Sequence, residues 1–196
     1  DITFIGSGIA TDYTILGILE KLNTSNTLNI NIIDKYPEFF RGIAYGQRSG
    51  NSVLLINSLR QFLPDDERSV FIKWLKEVKK DLLEEFLTTG SEESKRWLSE
   101  NIKEIEKDCW DDLFIPRSFF GKFIVSKVKR ALTEAEDKKL VKINYLVSEV
   151  IDLQKENNLF EIRGSSNQSF YAKKVVLSLG SLPPNKIYTE KLVLEE

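Results

Sequence analysis

The chain has 196 residues, enough for one well-packed domain, and its 28 basic and 30 acidic side chains nearly cancel. This balance argues against a nucleic-acid or anionic-membrane surface. Histidine is absent and Cys109 is the only cysteine, which excludes internal disulfides, dithiol redox centres, serine-hydrolase triads and most zinc sites. No segment has the ~20 apolar residues of a membrane span, and no secretory signal is recognisable, so a reducing cytoplasm is the expected location.

The first 34 residues have the order of a βαβ dinucleotide-binding unit. An apolar run at residues 2–5 leads into Gly6-Ser7-Gly8, and a helix is predicted from Ile9 to about Leu22. A second apolar run then ends in Asp34. This is the order in which a strand, a glycine-rich turn, a helix and an acidic strand tip build a nucleotide site.

Each part of this unit has an expected role. Gly6 allows a tight turn, and Gly8 has no side chain that would keep a pyrophosphate from the backbone. Ile9 and Ala10 open the helix, whose N-terminus offers free N–H groups and a partial positive charge to the phosphates. Asp34 can accept hydrogen bonds from both ribose hydroxyls of an adenosine, and its charge would repel the 2′-phosphate of NADP.

One position of the unit departs from the pattern and keeps a second interpretation open. Thr11 replaces the third glycine of the usual pattern, at a position expected to contact protein rather than ligand. The alternative to nucleotide binding is therefore a βαβ unit whose glycines only serve a turn. The helix itself is predicted to bury one stripe, formed by Ile9, Tyr13, Leu16, Leu19 and Leu22.

The segment after Asp34 is rich in aromatic residues and glycines and leaves the carboxyl edge of the predicted sheet, where ligands bind in open α/β folds. Arg41 could neutralise a phosphate, and Gly42 and Gly46 could let the backbone approach it. The alternative is a surface loop with its aromatic residues packed on the sheet. Asn57, at the end of a short apolar run, is a hydrogen-bonding candidate at a cofactor ring, or a turn residue.

A helical pattern occupies residues 65–135, which is longer than an ordinary βα repeat and therefore indicates an insertion. The last helix of this segment is predicted to be capped by Ser118. Arg117, beside its start, could face an anion or pair with Asp111 or Asp112.

The last third of the chain changes to an alternation of period two. A strand is predicted at 141–146, followed by a three-stranded antiparallel meander within 149–172 and a buried strand at 174–180. The predicted fold class is therefore α/β, with a parallel sheet, a helical insertion and a three-stranded β-meander.

This layout resembles the FAD domain of two-dinucleotide-fold flavoproteins, and four short motifs strengthen the resemblance. From Ile2 to about Pro184 the chain resembles the FAD/NAD(P)-binding family of bacterial Rossmann-type proteins, relatives of the flavin-dependent N-hydroxylating monooxygenases. The motifs, in order, are Gly42-Ile43-Ala44-Tyr45-Gly46, Leu54-Leu55-Ile56-Asn57, Asp65-Asp66 before Phe71-x-x-Trp74-Leu75, and Pro116-Arg117-Ser118-x-Phe120-Gly121-Lys122-Phe123.

The resemblance implies a Rossmann-like FAD-binding domain whose cofactor extends along the carboxyl edge of the sheet. The glycine turn would hold the pyrophosphate and Asp34 the adenosine ribose, the segment from Arg41 to Tyr45 and Asn57 would lie along the flavin, and the backbone near Val150 would meet the adenine. No catalytic residue and no metal ligand is assigned. The expected cofactor-binding residues are Gly6, Ser7, Gly8, Ile9, Ala10, Asp34, Lys35, Arg41, Ala44, Tyr45, Asn57, Val150 and Gly180.

The expected organisation is one domain over residues 1–196: the βαβ unit at 1–34, the loop and helical insertion at 35–136, and the strands at 140–180. Because no second glycine-rich fingerprint follows, we expect either the N-terminal part of a longer flavoprotein that binds NAD(P)H through a region outside this chain, or a minimal form of such a protein. The expected function is an FAD-binding oxidoreductase. The alternatives are a non-catalytic nucleotide-binding scaffold, NAD in place of FAD, and an S-adenosylmethionine-dependent methyltransferase. The expected partners are an adenine dinucleotide and a small-molecule substrate, without nucleic acid or membrane, and the oligomeric state stays open.

Overall fold

A computed structural model describes residues 1–23 and 26–180 of the chain. Over these residues it contains a four-stranded parallel sheet and a three-stranded antiparallel sheet, which confirms the predicted α/β fold class. The last predicted strand, at 174–180, is shorter and less buried than expected: it ends at Leu177 and lies at the edge of the described sheet. The end of the region of resemblance, near Pro184, lies outside the described residues. The strands are β1 (Ile2–Ile5), β2 (Leu28–Asp34), β3 (Val141–Val147), β4 (Val150–Glu156), β5 (Leu159–Gly164), β6 (Ser169–Ala172) and β7 (Lys174–Leu177).

The parallel sheet has the strand order β3-β2-β1-β7, so β1 is central and the carboxyl ends of all four strands share one edge. Ile2 of β1 is opposite Ile30 of β2 on one side and Lys174 of β7 on the other. Successive side chains of a strand point to opposite faces, and both faces of this sheet are covered. Phe4 therefore packs into one core and Ile5 into another.

One face of the sheet is covered by helices. The α-helices of the described residues are α1 (Ile9–Lys21), α2 (Gly42–Tyr45), α3 (Leu59–Phe62), α4 (Asp65–Thr89), α5 (Glu92–Glu106) and α6 (Arg117–Asp137). Helices α1 and α6 pack side by side on this face, since α1 joins β1 to β2 and α6 leads into β3. None of the helices described is both long and apolar enough to cross a membrane.

The buried stripe of α1 differs from the predicted one. Tyr13 is 39% exposed, whereas Thr11, Asp12 and Ile15 are buried. Tyr13 turns outward because its hydroxyl donates to Glu67 Oε1 of α4, 2.5 Å away. The other predicted stripe residues, Ile9, Leu16, Leu19 and Leu22, do pack against the core.

The helical insertion is joined to the sheet through α6 by aromatic packing. The ring of Phe120 contacts Phe71 of α4 edge to face at 5.6 Å, and Phe123 lies 4.7 Å from the same ring. Farther along α4, Phe86 contacts Phe119 of α6 at 5.1 Å. Because aromatic pairs add to the energy of ordinary burial, α6 anchors the whole insertion.

The start of α6 differs from the prediction in two respects. The helix begins at Arg117 with Pro116 as its N-cap, so Ser118 lies inside the first turn and the capping prediction is wrong. Arg117 donates through Nε to the carbonyl of Leu54 at 3.1 Å, while the two aspartates predicted as partners pair elsewhere. Asp111 pairs with Arg68, and Asp112 with Arg60.

The opposite face of the parallel sheet is covered by the meander of β4, β5 and β6, which confirms that part of the prediction. Its core is small. Ile162 and Ala172 of the meander are buried against Ile5 and Ile33 of the parallel sheet.

Candidate cofactor site

The turn after β1 is built around Gly6. This residue has φ of 95°, and a Cβ placed on it would lie 2.2 Å from the carbonyl oxygen of Ser178, just after β7. Its N–H donates to the carbonyl of Ile33 at 2.8 Å. Only glycine fits both the backbone angle and the contact, so the turn is fixed between the ends of β2 and β7.

Asp34, at the carboxyl end of β2, is tied to this turn. Its Oδ2 accepts the backbone N–H of Ser7 at 2.8 Å and the Ser7 hydroxyl at 2.7 Å. Its Oδ1 accepts the backbone N–H of Tyr36 at 3.0 Å. Ser7 is buried, whereas Asp34 is partly exposed. The structure therefore brings the glycine turn and the predicted ribose-binding carboxylate together.

The N-terminus of α1 lies at the same edge of the sheet. Gly8 is the N-cap, and its carbonyl accepts the N–H groups of Thr11 and Asp12. The N–H groups of Ile9 and Ala10 come first in the helix and have no intrahelical partner. Together with the dipole of a 13-residue helix, they provide the chemistry that binds a phosphate.

Thr11 compensates for the missing third glycine. Its side chain is completely buried, and its hydroxyl donates to the carbonyl of Gly6 at 2.7 Å. A glycine at this position would only allow close packing of helix and strand, whereas threonine adds a hydrogen bond across the turn. This departure from the motif is therefore compatible with the turn geometry.

The segment after β2 folds back onto the glycine turn. Gly42 has φ of 59°, and a Cβ on it would lie 3.0 Å from the Cα of Gly8. A Cβ on Gly8 would in turn lie 3.6 Å from the Cα of Gly42. The missing side chains thus allow two backbone segments to meet. Just before this contact the backbone changes direction at Phe40, which is buried and also has a positive φ of 71°.

Glu38 connects separate parts of this segment through its carboxylate. Its carboxylate accepts the backbone N–H of Gln47 at 3.0 Å and lies 3.4 Å from Nη1 of Arg41. A side chain on Gly46 would collide with the same carboxylate, its Cβ 2.8 Å from Oε2. The predicted phosphate ligand Arg41 is therefore paired with Glu38, which partly neutralises its charge. Glu38 was not among the predicted site residues, since a single acidic side chain in a segment of aromatic residues and glycines gives no signal of its own.

The remaining expected residues are distributed around this centre. Tyr45 is half-buried against Phe120, with ring centroids 5.1 Å apart. Burial raises the pKa of Tyr45, while the nearby charge of Arg117 lowers it. Ala44 is exposed on the same short helix, and Asn57 is exposed beyond the segment in which Leu54 pairs with Pro116.

At the other end, Lys35 pairs with Glu149 at 2.7 Å. This ion pair connects the tip of β2 to the start of β4, where Val150 lies. Gly180 has φ of 68°, and a Cβ on it would meet no atom of the described residues within 4 Å. Among these residues, the space that a side chain at position 180 would occupy is therefore free.

Apolar side chains are exposed at the carboxyl edge of the sheet. Val147 ends β3 and Leu177 ends β7, and both are more than half exposed. Leu179, beyond β7, and Ile43, on the helix beside Gly8, are also exposed. Apolar surface gathered at one edge of a sheet is a common property of ligand sites.

One buried group near the site was not anticipated. Asp12 is completely buried, and neither oxygen of its carboxylate has a hydrogen-bond partner among the described residues. Burial raises the pKa of Asp12 to about 8. The sequence did carry a signal, because Asp12 lies four residues before Leu16 and seven before Leu19, on the apolar stripe.

A sequence profile of a family described as FAD-NAD(P)-binding matches residues 3–182. The chain belongs to this family. Its ligand class is therefore a flavin or nicotinamide dinucleotide. Uncharacterized proteins of Mycobacterium bovis and Mycobacterium tuberculosis are 29% identical to it over 194 residues, which is 95% of this chain and 36% of theirs. The chain thus spans about a third of the length of these curated relatives.

Three solved structures are similar at 12% sequence identity. They are the Diels-Alderase PyrE3 of pyrroindomycin biosynthesis, tetracycline destructase Tet(51), and iminodiacetate oxidase IdaA from Chelativorans sp. BNC1. The alignments cover 92%, 91% and 90% of this chain and 32%, 38% and 54% of those proteins, with TM-scores of 0.38, 0.40 and 0.37. Likeness at this level carries no argument about function.

The residues present fit a dinucleotide. The turn around Gly6 is too tight for any side chain, the helix start at Ile9 and Ala10 offers unpaired N–H groups, and Asp34 lies beside both. In the part of the chain that the structure describes, no group of acidic, histidine or cysteine side chains is arranged to hold a metal ion.

Proposed function

We propose that this chain is the FAD-binding domain of a flavin-dependent oxidoreductase. The observation that carries the proposal is the hydrogen-bonded unit of Ser7 and Asp34, placed beside the unpaired N–H groups at the start of α1. This unit offers donors for a pyrophosphate and an acceptor for a ribose at one edge of a parallel sheet. Those are the two features shared by all adenine dinucleotides.

The preference for FAD over NAD is supported by the exposed apolar edge. The isoalloxazine ring is larger and less polar than nicotinamide, and it would cover the side chains of Ile43, Leu177 and Leu179, all of them about half exposed or more. When bound, the flavin supplies the electron-transfer chemistry, and the protein positions it and adjusts its surroundings.

In this proposal each residue has a binding role. The N–H groups of Ile9 and Ala10, together with the guanidinium of Arg41, hold the phosphates, and Asp34 holds the adenosine ribose. The backbone near Val150 meets the adenine, and Lys35 supports that end through its pair with Glu149. The flavin half lies along the residues on the other side of the turn, which are Ala44, Tyr45, Asn57 and Gly180.

The complete reaction would need more than this chain. Because the chain spans about a third of its curated relatives, we propose that an NAD(P)H-binding region and the substrate site belong to a longer protein. The substrate is then a small molecule, oxidised or oxygenated at the flavin ring.

The test is a titration of the purified chain with FAD, NAD and S-adenosylmethionine, followed by calorimetry and by the visible spectrum of the flavin. We expect FAD to bind, and Asp34→Asn to weaken it by about tenfold or more, since a charge-assisted hydrogen bond contributes roughly 1.5–3 kcal/mol. Asp81→Asn, on the exposed surface of α4, is the matched control and should leave binding unchanged. Binding of NAD but not FAD, or of S-adenosylmethionine, would overturn the flavin assignment.

A further inference from the structure

Three donors already occupy the carboxylate of Asp34. Oδ2 accepts both the N–H and the hydroxyl of Ser7, at 2.8 and 2.7 Å, and Oδ1 accepts the N–H of Tyr36 at 3.0 Å. An ionised carboxylate has about four acceptor sites, two on each oxygen. Oδ2 is therefore filled, and a single site remains on Oδ1.

This count changes the expectation that Asp34 receives both ribose hydroxyls. With one site left, it can accept one hydroxyl well. The hydroxyl of Ser7 is responsible, because the two backbone N–H groups alone would leave one site free on each oxygen. Ser7 is 1% exposed, so its hydroxyl acts on the nucleotide only through Asp34.

We propose that Ser7 is a positioning residue, which fixes Asp34 so that the carboxylate reads a single hydroxyl of the adenosine ribose through Oδ1. The inference rests on the proposed dinucleotide site and deepens it. Because the hydrogen bond from the buried Ser7 hydroxyl is charge-assisted and itself partly buried, it also holds the carboxylate in one rotamer. Without the hydrogen bond from Ser7, the carboxylate of Asp34 would rotate. Its hydrogen bonds to the two ribose hydroxyls would then be weaker and similar to each other in strength.

The experiment is calorimetry of the full chain with ADP, 2′-deoxy-ADP and 3′-deoxy-ADP, with FAD titrated in parallel. For the unaltered chain we expect one deoxy nucleotide to bind about tenfold more weakly than ADP and the other within about twofold. For Ser7→Ala we expect ADP to bind about five- to tenfold more weakly, and the difference between the two deoxy nucleotides to fall to about twofold. Ser7→Cys keeps the size and a weak donor, and should lie between these two.

Ser99→Ala is the matched control, because the Ser99 hydroxyl also makes a hydrogen bond, to the carbonyl of Arg96 on the surface of α5. It should leave every affinity unchanged. The inference is overturned if both deoxy nucleotides lose affinity equally in the unaltered chain, or if folded Ser7→Ala, checked by circular dichroism, retains the original discrimination. A chain that binds neither FAD nor ADP would instead overturn the proposed function, so the two failures are distinguishable.

Discussion

The two faces of the parallel sheet are stabilised by cores of very different size. On the helical face, Phe4 and Ile32 belong to a continuous core that extends through α1 and α6 into the aromatic rings of the insertion. On the meander face, Ile5 and Ile33 meet, within the described part of the chain, only Ile162, Ala172 and a few half-buried neighbours. Adjacent residues of one strand, such as Phe4 and Ile5, therefore pack into different cores. Among the described residues, the core on the helical face contains several times more buried side chains than the core on the meander face.

The difference shows what the helical insertion does for the site. The glycine turn and Asp34 lie where β1 and β2 end, at the rim between the two cores. Helix α1, which would hold the phosphates, is embedded in the larger core, so its N-terminus has a rigid support. The meander, which would contact the adenine, rests on a smaller core and is expected to open more readily.

The prediction with the largest expected effect concerns Asp12, a completely buried carboxylate on α1 and the only one among the described residues. Its pKa rises from 3.8 to about 8 because of burial. Below about pH 4 both folded and unfolded chains are protonated there, and as the pH rises toward 8 only the unfolded chain loses its proton. Stability should therefore fall by up to about 4 kcal/mol between about pH 5 and about pH 8 through this group alone.

Asp12→Asn removes this titration while keeping the shape of the side chain. Urea unfolding at three pH values should show a free energy of unfolding that falls with pH in the unaltered chain and much less in the variant. Asp81→Asn, on the solvent side of α4, should retain the original slope. Equal slopes for Asp12→Asn and the unaltered chain would mean that the larger core is hydrated around Asp12.

A matched pair of isoleucines compares the two cores directly. Ile124 of α6 is 1% exposed and Ile162 of β5 is 0% exposed, so both substitutions to alanine remove the same buried atoms. We expect losses of about 3–4 kcal/mol for Ile124→Ala and about 2 kcal/mol for Ile162→Ala, because a small peripheral core relaxes more completely around a cavity. Chemical denaturation measures both values.

Hydrogen exchange shows which part of the protein is destabilised by each of the two isoleucine substitutions. Ile162→Ala should speed exchange chiefly in the meander, whereas Ile124→Ala should speed it throughout the sheet and helices. Equal global losses for the two variants would contradict the claim that the cores differ in rigidity.

Much of this architecture is predictable from local patterns. The bounds of β2 and the start of α1 follow from the apolar runs and the glycines, and the meander follows from alternation with turns at Asn157 and Asn167, both of which have positive φ. The helical insertion is predictable in the same way, since the helical pattern predicted over residues 65–135 forms α4, α5 and α6.

Contacts between segments that are distant in the chain could not be predicted from the sequence. The approach of Gly42 to Gly8 and the carboxylate of Glu38 between Arg41 and Gln47 depend on how a loop folds back. Tyr13 looked like a core residue because tyrosine is mostly apolar, but a polar partner on another helix turned it outward. Tertiary contacts of this kind override the local periodicity of the sequence.

The smallest effect concerns Thr11, which lies at the rim between the two cores. Thr11→Val keeps the shape but removes the 2.7 Å, partly buried hydrogen bond from the completely buried Thr11 side chain to the carbonyl of Gly6. We expect a loss of about 1–2 kcal/mol, since an acceptor is left without its partner inside the protein. Thr14→Val, one turn later, removes an exposed bond to the carbonyl of Ala10 and should change stability by less than about 0.5 kcal/mol. If the two variants unfold at the same urea concentration, Thr11 contributes only its packing, and the third position of the glycine motif tolerates any side chain of that size.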